Sequence, residues 1–333
     1  HDAAHPDRAA VLDRDDRGSG AYVVELAGAD DVTLRRLTLR DAQYGVRAWD
    51  GADSDRLVVR DSLIEAVGGI RLDRSNDGAV VTGNTIDAST GWGSGIEIYD
   101  GVGHVVSGNR VPAFGGSFGI YVAAPGAVIE GNDVTEVIGY PYGGTGIRAD
   151  GRGSSVAERT VVRGNLVHDV SVAGIQAGGN VLVEDNEVTG AGSWGISVGQ
   201  GAEARGNDVH DNSGGISLGG GTVAGNRVYH NTGTGIHIDT SGTVTDNVIY
   251  GNATGIFGTV SYWWSQRFSG QIVNNLIYGN RDRGIRIGEA SGAPVVNNTI
   301  LQASGDAVRI EAGSQGVQLR NNIIEVGGGA AIS

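Results

Sequence analysis

Apolar and polar residues alternate in short runs along this chain, and the runs return about every 20 to 29 residues. A Gly followed by Val or Ile marks each return, at Gly45, Gly69, Gly95, Gly119, Gly146, Gly174, Gly195, Gly215, Gly235, Gly255 and Gly284. A second column is an Asn two residues before Val or Ile, at Asn84, Asn109, Asn132, Asn165, Asn186, Asn207, Asn226, Asn247, Asn275, Asn298 and Asn322. Two columns with one drifting period indicate a solenoid, in which each repeat is a coil packed against its neighbours.

The short apolar runs predict strands, and the Gly and Asn between them predict tight turns that use positive φ. Strands of successive coils would pair in parallel at about 4.8 Å. The predicted fold class is therefore all-β, a parallel β-helix of about thirteen coils over residues 21–333, as a single domain. Residues 1–20 lack the repeat and are expected to form an irregular segment. The sequence stops in mid-coil after Ile332, which favours a longer parent protein with possible flanking domains.

Composition excludes several classes of function. The chain has no Cys, which excludes disulfides and thiolate chemistry, and all 24 basic residues are Arg, which excludes a Lys base. Its net charge of −14 argues against nucleic acid as a partner. No apolar run approaches the roughly 20 residues of a membrane span, so no membrane insertion is expected. These properties are typical of an extracellular or cell-surface protein.

The Gly-Ile-x-Ile pattern of residues 235–238 and the Gly-Asn-x-Val pattern of residues 206–209 return along nearly the whole chain. The chain thereby resembles the right-handed parallel β-helix repeat family of secreted carbohydrate-active proteins. This resemblance implies a polysaccharide or oligosaccharide partner held in a groove on one sheet. It implies no single reaction, because lyases, epimerases, glycosidases and non-catalytic adhesins share the scaffold.

The first candidate site lies one and three positions after the apolar residue of the Gly-Ile pairs, where side chains point outward. Candidate substrate-binding residues there are Arg71, Asp73 and Tyr99. Candidate catalytic residues are Glu97, Tyr121, Arg148, Asp150 and, from the predicted groove wall of residues 139–145, Tyr142.

Arg, Tyr and carboxylates suit sugar acids. An Arg fork binds a uronate carboxylate bidentately and acidifies the C5 proton, which a Tyr can then remove. Two alternatives stay open. Paired carboxylates could flank a glycosidic bond, as in hydrolysis, or the charges could form a solvated ladder of ion pairs.

The second candidate site is His237 and Asp239, followed one coil later by an aromatic insertion that contains Trp263 and Trp264. Tryptophan rings can stack on sugar faces, so these four residues are candidates for substrate binding. The alternative is that the insertion folds over the sheet and closes a small core of its own.

No cofactor or metal is predicted. His168, His210 and His230 follow the Asn-x-Val turns at a position shared with Tyr250 and Tyr278, which is typical of a recurrent turn residue. The acidic nonapeptide motif that binds calcium is absent, so a Ca²⁺ site would have to be irregular.

Among β-helix enzymes the chain is most similar to the alginate epimerase and lyase group. Their Asp-Pro-His stretch is missing, and residues 146–150 read Gly-Ile-Arg-Ala-Asp instead. Polygalacturonase motifs are also absent. Two hypotheses follow. The first is an extracellular enzyme that abstracts the C5 proton of uronic-acid-containing glycans, as a lyase or C5-epimerase. Within this hypothesis a glycoside hydrolase is the less favoured alternative. The second is a non-catalytic adhesin, sugar-binding or spacer module.

Overall fold

The computed structural model describes residues 10–87, 93–112, 115–139, 143–153, 155–260 and 266–333. The fold is an all-β parallel solenoid of about thirteen coils, and each coil contributes one strand to each of three sheets, A, B and C. The predicted fold class is thereby confirmed. The described residues include one turn of 3-10 helix, Val156–Glu158. None of their helices has the length and hydrophobicity to cross a membrane.

The chain divides into two compact units. The N-terminal unit comprises His1–Ile175 with Gly179–Val181, and the C-terminal unit comprises Gln176–Gly178 with Leu182–Ser333. The division runs through sheet-B strand β20 (Ile175–Gly179) and the first residue of sheet-C strand β21 (Val181–Glu184).

In the N-terminal unit, sheet A contains β1 (Ala10–Asp13), β4 (Leu37–Arg40), β7 (Leu63–Glu65), β10 (Thr85–Ile86), β13 (Arg110–Val111), β16 (Asp133–Thr135) and β19 (Leu166–His168). Sheet B contains β2 (Tyr22–Leu26), β5 (Tyr44–Ala48), β8 (Gly68–Leu72), β11 (Ile96–Ile98), β14 (Phe118–Val122) and β17 (Thr145–Gly151). Sheet C contains β3 (Thr33–Arg35), β6 (Val58–Arg60), β9 (Val80–Thr82), β12 (Val105–Ser107), β15 (Val128–Glu130) and β18 (Thr160–Arg163).

In the C-terminal unit, sheet A contains β22 (Glu187–Thr189), β25 (Asp208–His210), β28 (Arg227–Tyr229), β31 (Val248–Tyr250), β34 (Leu276–Tyr278), β37 (Thr299–Gln302) and β40 (Ile323–Val326). Sheet B contains β23 (Trp194–Val198), β26 (Gly214–Leu218), β29 (Thr234–Asp239), β32 (Thr254–Thr259), β35 (Arg283–Ile287) and β38 (Asp306–Ile310). Besides β21, sheet C contains β24 (Ala202–Arg205), β27 (Gly221–Ala224), β30 (Thr243–Thr245), β33 (Gln271–Val273), β36 (Pro294–Val296) and β39 (Gln318–Arg320).

The core of each unit is a stack of aliphatic side chains in register. Ile70, Ile96 and Ile120 pair strand to strand on sheet B and are fully buried. Because side chains alternate along a strand, the residue after each Ile points outward. The sheet-B register therefore decides which outward side chains become neighbours.

The recurrent Gly before each Ile is needed for space. A β-carbon on Gly95 would lie 2.5 Å from the carbonyl oxygen of Gly119 and 3.0 Å from Cγ1 of Val111. The Gly residues of this column do not have positive φ. Positive φ occurs instead at the residue before each Asn of the second column, for example 59° at Gly108 and 54° at Asp185.

The Asn side chains form hydrogen-bonded ladders inside each unit. Asn84 Nδ2 donates to Asn109 Oδ1 at 3.0 Å, and Asn109 donates to Asn132 at 3.0 Å. The C-terminal unit has the same ladder and a second one, which the sequence analysis did not identify, through Asn212, Asn231, Asn252 and Asn280. These buried amides satisfy backbone groups at the turns, which would otherwise lack partners.

The solenoid begins earlier than the expected boundary at residue 21. Strand β1 pairs in parallel with β4, with Val11 opposite Thr38. Residues 10–13 carry neither repeat column, and their apolar residues are adjacent, so the pattern gave no signal for this strand.

Candidate functional site

The outer face of sheet B in the N-terminal unit gathers the first predicted cluster. The register places one column of outward side chains side by side on successive strands: Arg47, Arg71, Glu97, Tyr121 and Arg148. A second outward column, two residues further along each strand, contains Asp73, Tyr99 and Asp150. The structure therefore brings together all the described members of this cluster.

Asp73 lies between two arginines and binds both. Arg47 Nη2 donates to Asp73 Oδ2 at 2.8 Å, and Arg71 Nε donates to Asp73 Oδ1 at 2.9 Å. The side chain of Asp73 is only 10% exposed and that of Arg47 only 13% exposed. Each carboxylate oxygen thus has a charged partner in a site largely removed from water, where such bonds are strong.

Glu97 lies opposite Arg71 on the next strand. Arg71 Nη1 lies 3.5 Å from Glu97 Oε2, and the hydroxyls of Tyr44 and Tyr99 both donate to this oxygen at 3.4 Å. Sequence reasoning missed Tyr44 because it stands two residues before the buried Val46, where alternation assigns it to the inward face. The two buried carboxylates are committed to protein partners, so paired-carboxylate hydrolysis gains no support from them.

The first coils add an aromatic edge to this network. The Arg47 guanidinium lies 3.8 Å from the centroid of the Trp49 ring, and Arg47 Nη1 donates to the Tyr22 hydroxyl at 2.9 Å. The Trp49 indole N–H donates to Glu25. A cleft of about 370 Å³ opens here, lined by Arg47, Trp49, Asp50, Arg71, Asp73, Arg74 and Tyr99.

Burial governs the ionisation of the three tyrosines in the cluster. It raises the pKa of Tyr44, and together with the charge of Glu97 it raises the pKa of Tyr99 to about 12. Burial and the charge of Asp150 raise the pKa of Tyr121 above its ordinary value. Burial lowers the pKa of Arg71, but hydrogen bonds to Tyr44 and Asp73 outweigh it and leave that pKa raised. All three phenols are therefore protonated at neutral pH.

Arg148 differs from the other two arginines. Its Nε donates to Asp150 Oδ2 at 3.2 Å, whereas no residue in the described part of the chain accepts a hydrogen bond from its Nη1 or Nη2. Its guanidinium lies 5.6 Å from the Phe118 ring centroid and 5.8 Å from that of Tyr121. The side chain is 36% exposed, so the terminal edge of this guanidinium is open to a ligand.

Three of the predicted site residues cannot be placed. Tyr142, Trp263 and Trp264 lie outside the described residues, so their proposed roles remain predictions.

His237 and Asp239 lie on β29 of the C-terminal unit, and both point outward. The His237 imidazole stacks on Trp194 with ring centroids 5.6 Å apart and contacts Phe257 with centroids 5.4 Å apart. Burial lowers the pKa of His237, and the charge of Asp239 opposes that change. Asp239 lines a separate cleft.

Sheet A of the C-terminal unit carries an aromatic column that sequence reasoning took for recurrent turn residues. Tyr229 stacks on His210 and on Tyr250 with centroids 4.8 Å apart, and Tyr250 stacks on Tyr278 at 4.9 Å. These residues end strands, and Tyr229, not His230, holds the shared position. The signal was the aromatic residue three positions after four successive column residues, Asn207, Asn226, Asn247 and Asn275. Because the rings stack on one another, the column stabilises sheet A.

Two family models match the sequence. One, described as "Right handed beta helix region", matches residues 118–263. The other, described as "Periplasmic copper-binding protein (NosD)", matches residues 8–157 and 220–333, which is well over half of the chain. The chain belongs to the NosD family. The predicted membership of the right-handed parallel β-helix proteins is thereby confirmed. No curated protein matches the sequence.

Two solved structures illustrate what this NosD-family chain is similar to. The tailspike of E. coli bacteriophage HK620, solved in complex with a hexasaccharide, has a TM-score of 0.64 at 13% identity, over 97% of this chain and 70% of the tailspike chain. The A-module of mannuronan C-5 epimerase AlgE4 from Azotobacter vinelandii has a TM-score of 0.47 at 14% identity, over 94% of this chain and 86% of the module. At such identities the similarity is one of fold alone.

The residues of this NosD-family chain do not fit a copper ion. Copper(I) favours thiolate and thioether ligands and copper(II) favours imidazoles, but the sequence has neither Cys nor Met. Among the residues that the structure describes, no three His, Cys, Asp or Glu side chains converge as a metal site would require. His104 is buried with both ring nitrogens bonded to backbone groups, and the His237 ring contacts two aromatic rings.

Proposed function

We propose that the protein binds a uronic-acid-containing polysaccharide across sheet B of the N-terminal unit and abstracts the C5 proton of a bound uronate, as a lyase or a C5-epimerase. The observation that carries this proposal is the contrast between the arginines. Arg47 and Arg71 are held by Asp73, whereas neither terminal nitrogen of Arg148, which lies beside Tyr121, has a hydrogen-bond acceptor among the described residues.

In this proposal Arg148 binds the uronate carboxylate through Nη1 and Nη2. This bidentate bond disperses the negative charge that develops when the C5 proton leaves. Tyr121 is the neighbour of Arg148 on the adjacent strand, so its hydroxyl reaches the same sugar ring.

Tyr121 starts protonated because its pKa is raised. A protonated phenol can take up a proton only if it gives up its own. Tyr121 therefore passes its proton to the Asp150 carboxylate as it accepts the C5 proton. In a lyase the C4–O bond then breaks, a C4–C5 double bond forms, and the leaving oxygen takes a proton. In an epimerase a proton returns to C5 from the opposite face.

The network of Arg47, Asp73, Arg71 and Glu97 forms the floor of the same surface in this proposal. Its ion pairs fix the rings of Trp49 and Tyr99, which border the cleft and offer apolar faces to neighbouring sugars. Glu97 then supports the floor instead of touching the reacting sugar. We place such a protein outside the cytoplasm, in the periplasm or extracellular space, where its polymer would be.

The test uses polymannuronate, polyguluronate, polygalacturonate and polyglucuronate in deuterium oxide. Ultraviolet absorbance detects the unsaturated uronate of a lyase, and NMR detects deuterium at C5 from an epimerase. Tyr121→Phe and Arg148→Gln should each lower the rate by about a hundred-fold or more. Arg286→Gln is the matched control, because Arg286 holds the same position on its strand but is paired with Glu311 at 2.7 Å. The proposal would be refuted if no polymer gave either signal, or if Tyr121→Phe kept full activity.

The second candidate is a non-catalytic sugar-binding module. It is favoured by one specific observation, namely that the pKa values of Tyr44, Tyr99 and Tyr121 are all raised, so none of these phenols starts as a base. The same experiment separates the two candidates. A binding module would retain uronate polymers, lose them in Arg148→Gln, and produce neither absorbance nor deuterium exchange.

A further inference from the structure

We propose that the C-terminal unit carries a second glycan site, in the cleft beside Asp239, and that this site takes an uncharged sugar. The proposal goes beyond the uronate chemistry assigned to the N-terminal unit and rests on different residues.

The cleft has the size and polarity of a sugar site. Its volume is about 360 Å³, and its lining includes Gln200, Gly219, Gly220, Asp239, Ser241 and Gln266. One carboxylate, two primary amides and a hydroxyl provide several acceptors and donors for neighbouring sugar hydroxyls. Gly219 is exposed and has no side chain, so a ring can approach the backbone there closely.

The carboxylate of Asp239 is available to a ligand. Within the described part of the chain, no group donates a hydrogen bond to it, although its backbone oxygen accepts one from the Ser241 amide at 2.9 Å. Two adjacent hydroxyls of one sugar can donate to its two oxygens. Such bonds to a charged acceptor are stronger than bonds between neutral groups.

The backbone at the cleft wall is held in a costly conformation. The Asp239–Ser241 bond closes a γ-turn around Thr240, whose φ is 72°. A β-branched residue rarely adopts positive φ, and strain of this kind concentrates at functional sites. One coil earlier, Gly220 holds the equivalent position with a φ of 106°, where Gly has no such penalty.

The charge of the cleft selects against a uronate. Asp239 is its only charged side chain among the lining residues that the structure describes. His237, two residues earlier on the same strand, contacts Trp194 and Phe257, and burial lowers its pKa, so it carries no charge at neutral pH. A ligand carboxylate would therefore meet a like charge, with no cation among the described lining residues to offset it.

The experiment measures binding of neutral oligosaccharides of glucose, mannose, galactose and xylose by glycan array and then by titration calorimetry. We expect at least one to bind, Asp239→Asn to weaken it roughly ten-fold, and Arg148→Gln to leave it unchanged. Uronate oligosaccharides should bind Asp239→Asn as well as they bind the wild type, and should bind Arg148→Gln more weakly. Matching urea midpoints for the variants and wild type establish that each remains folded.

Three results would overturn the proposal of a second glycan site. They are an array without any bound neutral glycan, equal affinity in Asp239→Asn and wild type, and loss of neutral-sugar binding in Arg148→Gln. Because the uronate site is tested by its own variant, failure of one proposal leaves the other standing.

Discussion

The ring of Tyr44 lies directly against Gly68 on the next coil, so that a β-carbon at Gly68 would stand 2.5 Å from Cε1 of the ring. The aromatic side chain of one coil thus fills the space left by the missing side chain of the next. This contact brings the Tyr44 hydroxyl to Glu97, two coils from its own. Trp194 lies over Gly214 in the same way and reaches His237. Both candidate sites therefore depend on a Gly outside the Gly-Ile column.

We expect Gly68→Ala to displace Tyr44 and to destabilise the protein by about 1 to 3 kcal/mol, because the added methyl group overpacks the ring. Urea unfolding measures the change. Gly219→Ala is the matched control, since a β-carbon there would have its nearest neighbour at 3.8 Å. If Gly68→Ala and Gly219→Ala had the same midpoint, Tyr44 would not be fixed as described.

We expect Asp73→Asn to cost about 2 kcal/mol of unfolding free energy, because two largely buried arginines lose a charged partner. Asp31→Asn is the control. Asp31 binds Arg56 at 2.7 Å, but both side chains are more than half exposed, so its loss should move the urea midpoint little. Equal effects of the two variants would contradict the structural role given to Asp73.

The periodic columns were enough to predict the fold, because the residue at each column position makes the same kind of contact in every coil. Gly95 leaves room for the next coil and Asn109 donates to Asn132, and such contacts repeat with the period. The strand β1 was missed because its residues carry neither column and their apolar residues are adjacent instead of alternating with polar ones. The second Asn ladder does have a signal in the sequence, namely an Asn five residues after the first, as in Asn207 and Asn212.

The residues of the candidate site were predictable from the sequence, whereas the ion pairs between its arginines and carboxylates were not. Outward positions follow from alternation, so Arg71, Arg148 and Asp73 were placed on one face from the sequence alone. Which carboxylate an Arg binds depends on the rotamer of a long side chain that can reach along its own strand or to either neighbour. Arg47 reaches the next coil to Asp73, whereas Arg148 stays on its own strand with Asp150. No pattern of residue types distinguishes these two cases.

We expect Asn231→Ala to cost about 2 to 4 kcal/mol, since removal of an inner rung leaves buried donors and acceptors on both sides without partners. Asn231 donates to Asn252 at 2.9 Å and accepts from Asn212 at 3.1 Å. Asn322→Ala is the control at the last described rung of the other ladder, where the side chain is partly exposed, accepts from Asn298 and donates to the Val295 carbonyl at 2.8 Å. The difference between the two urea midpoints is the measurement, and the idea fails if Asn322→Ala is as costly as Asn231→Ala.

His104 should make stability fall as the pH drops through the mildly acidic range. Its Nδ1 accepts the Ala79 amide at 3.2 Å and its Nε2 donates to the Asp100 carbonyl at 2.9 Å, so the buried ring is held neutral. Burial lowers its pKa, against the opposing effect of the Asp100 bond and nearby carboxylates. The unfolded chain then binds a proton at His104 near pH 6.5, where the folded chain does not.

The contribution of His104 is therefore complete above about pH 6.5 and declines below it until the lowered folded pKa is reached. Urea unfolding of wild type and His104→Gln, repeated between about pH 8 and pH 5, isolates this term, because all other histidines are common to both. We expect the difference in unfolding free energy to be constant at the alkaline end and to shrink with acidification. A difference that stayed constant throughout would mean that His104 titrates alike in the folded and unfolded chains, contrary to its buried hydrogen bonds.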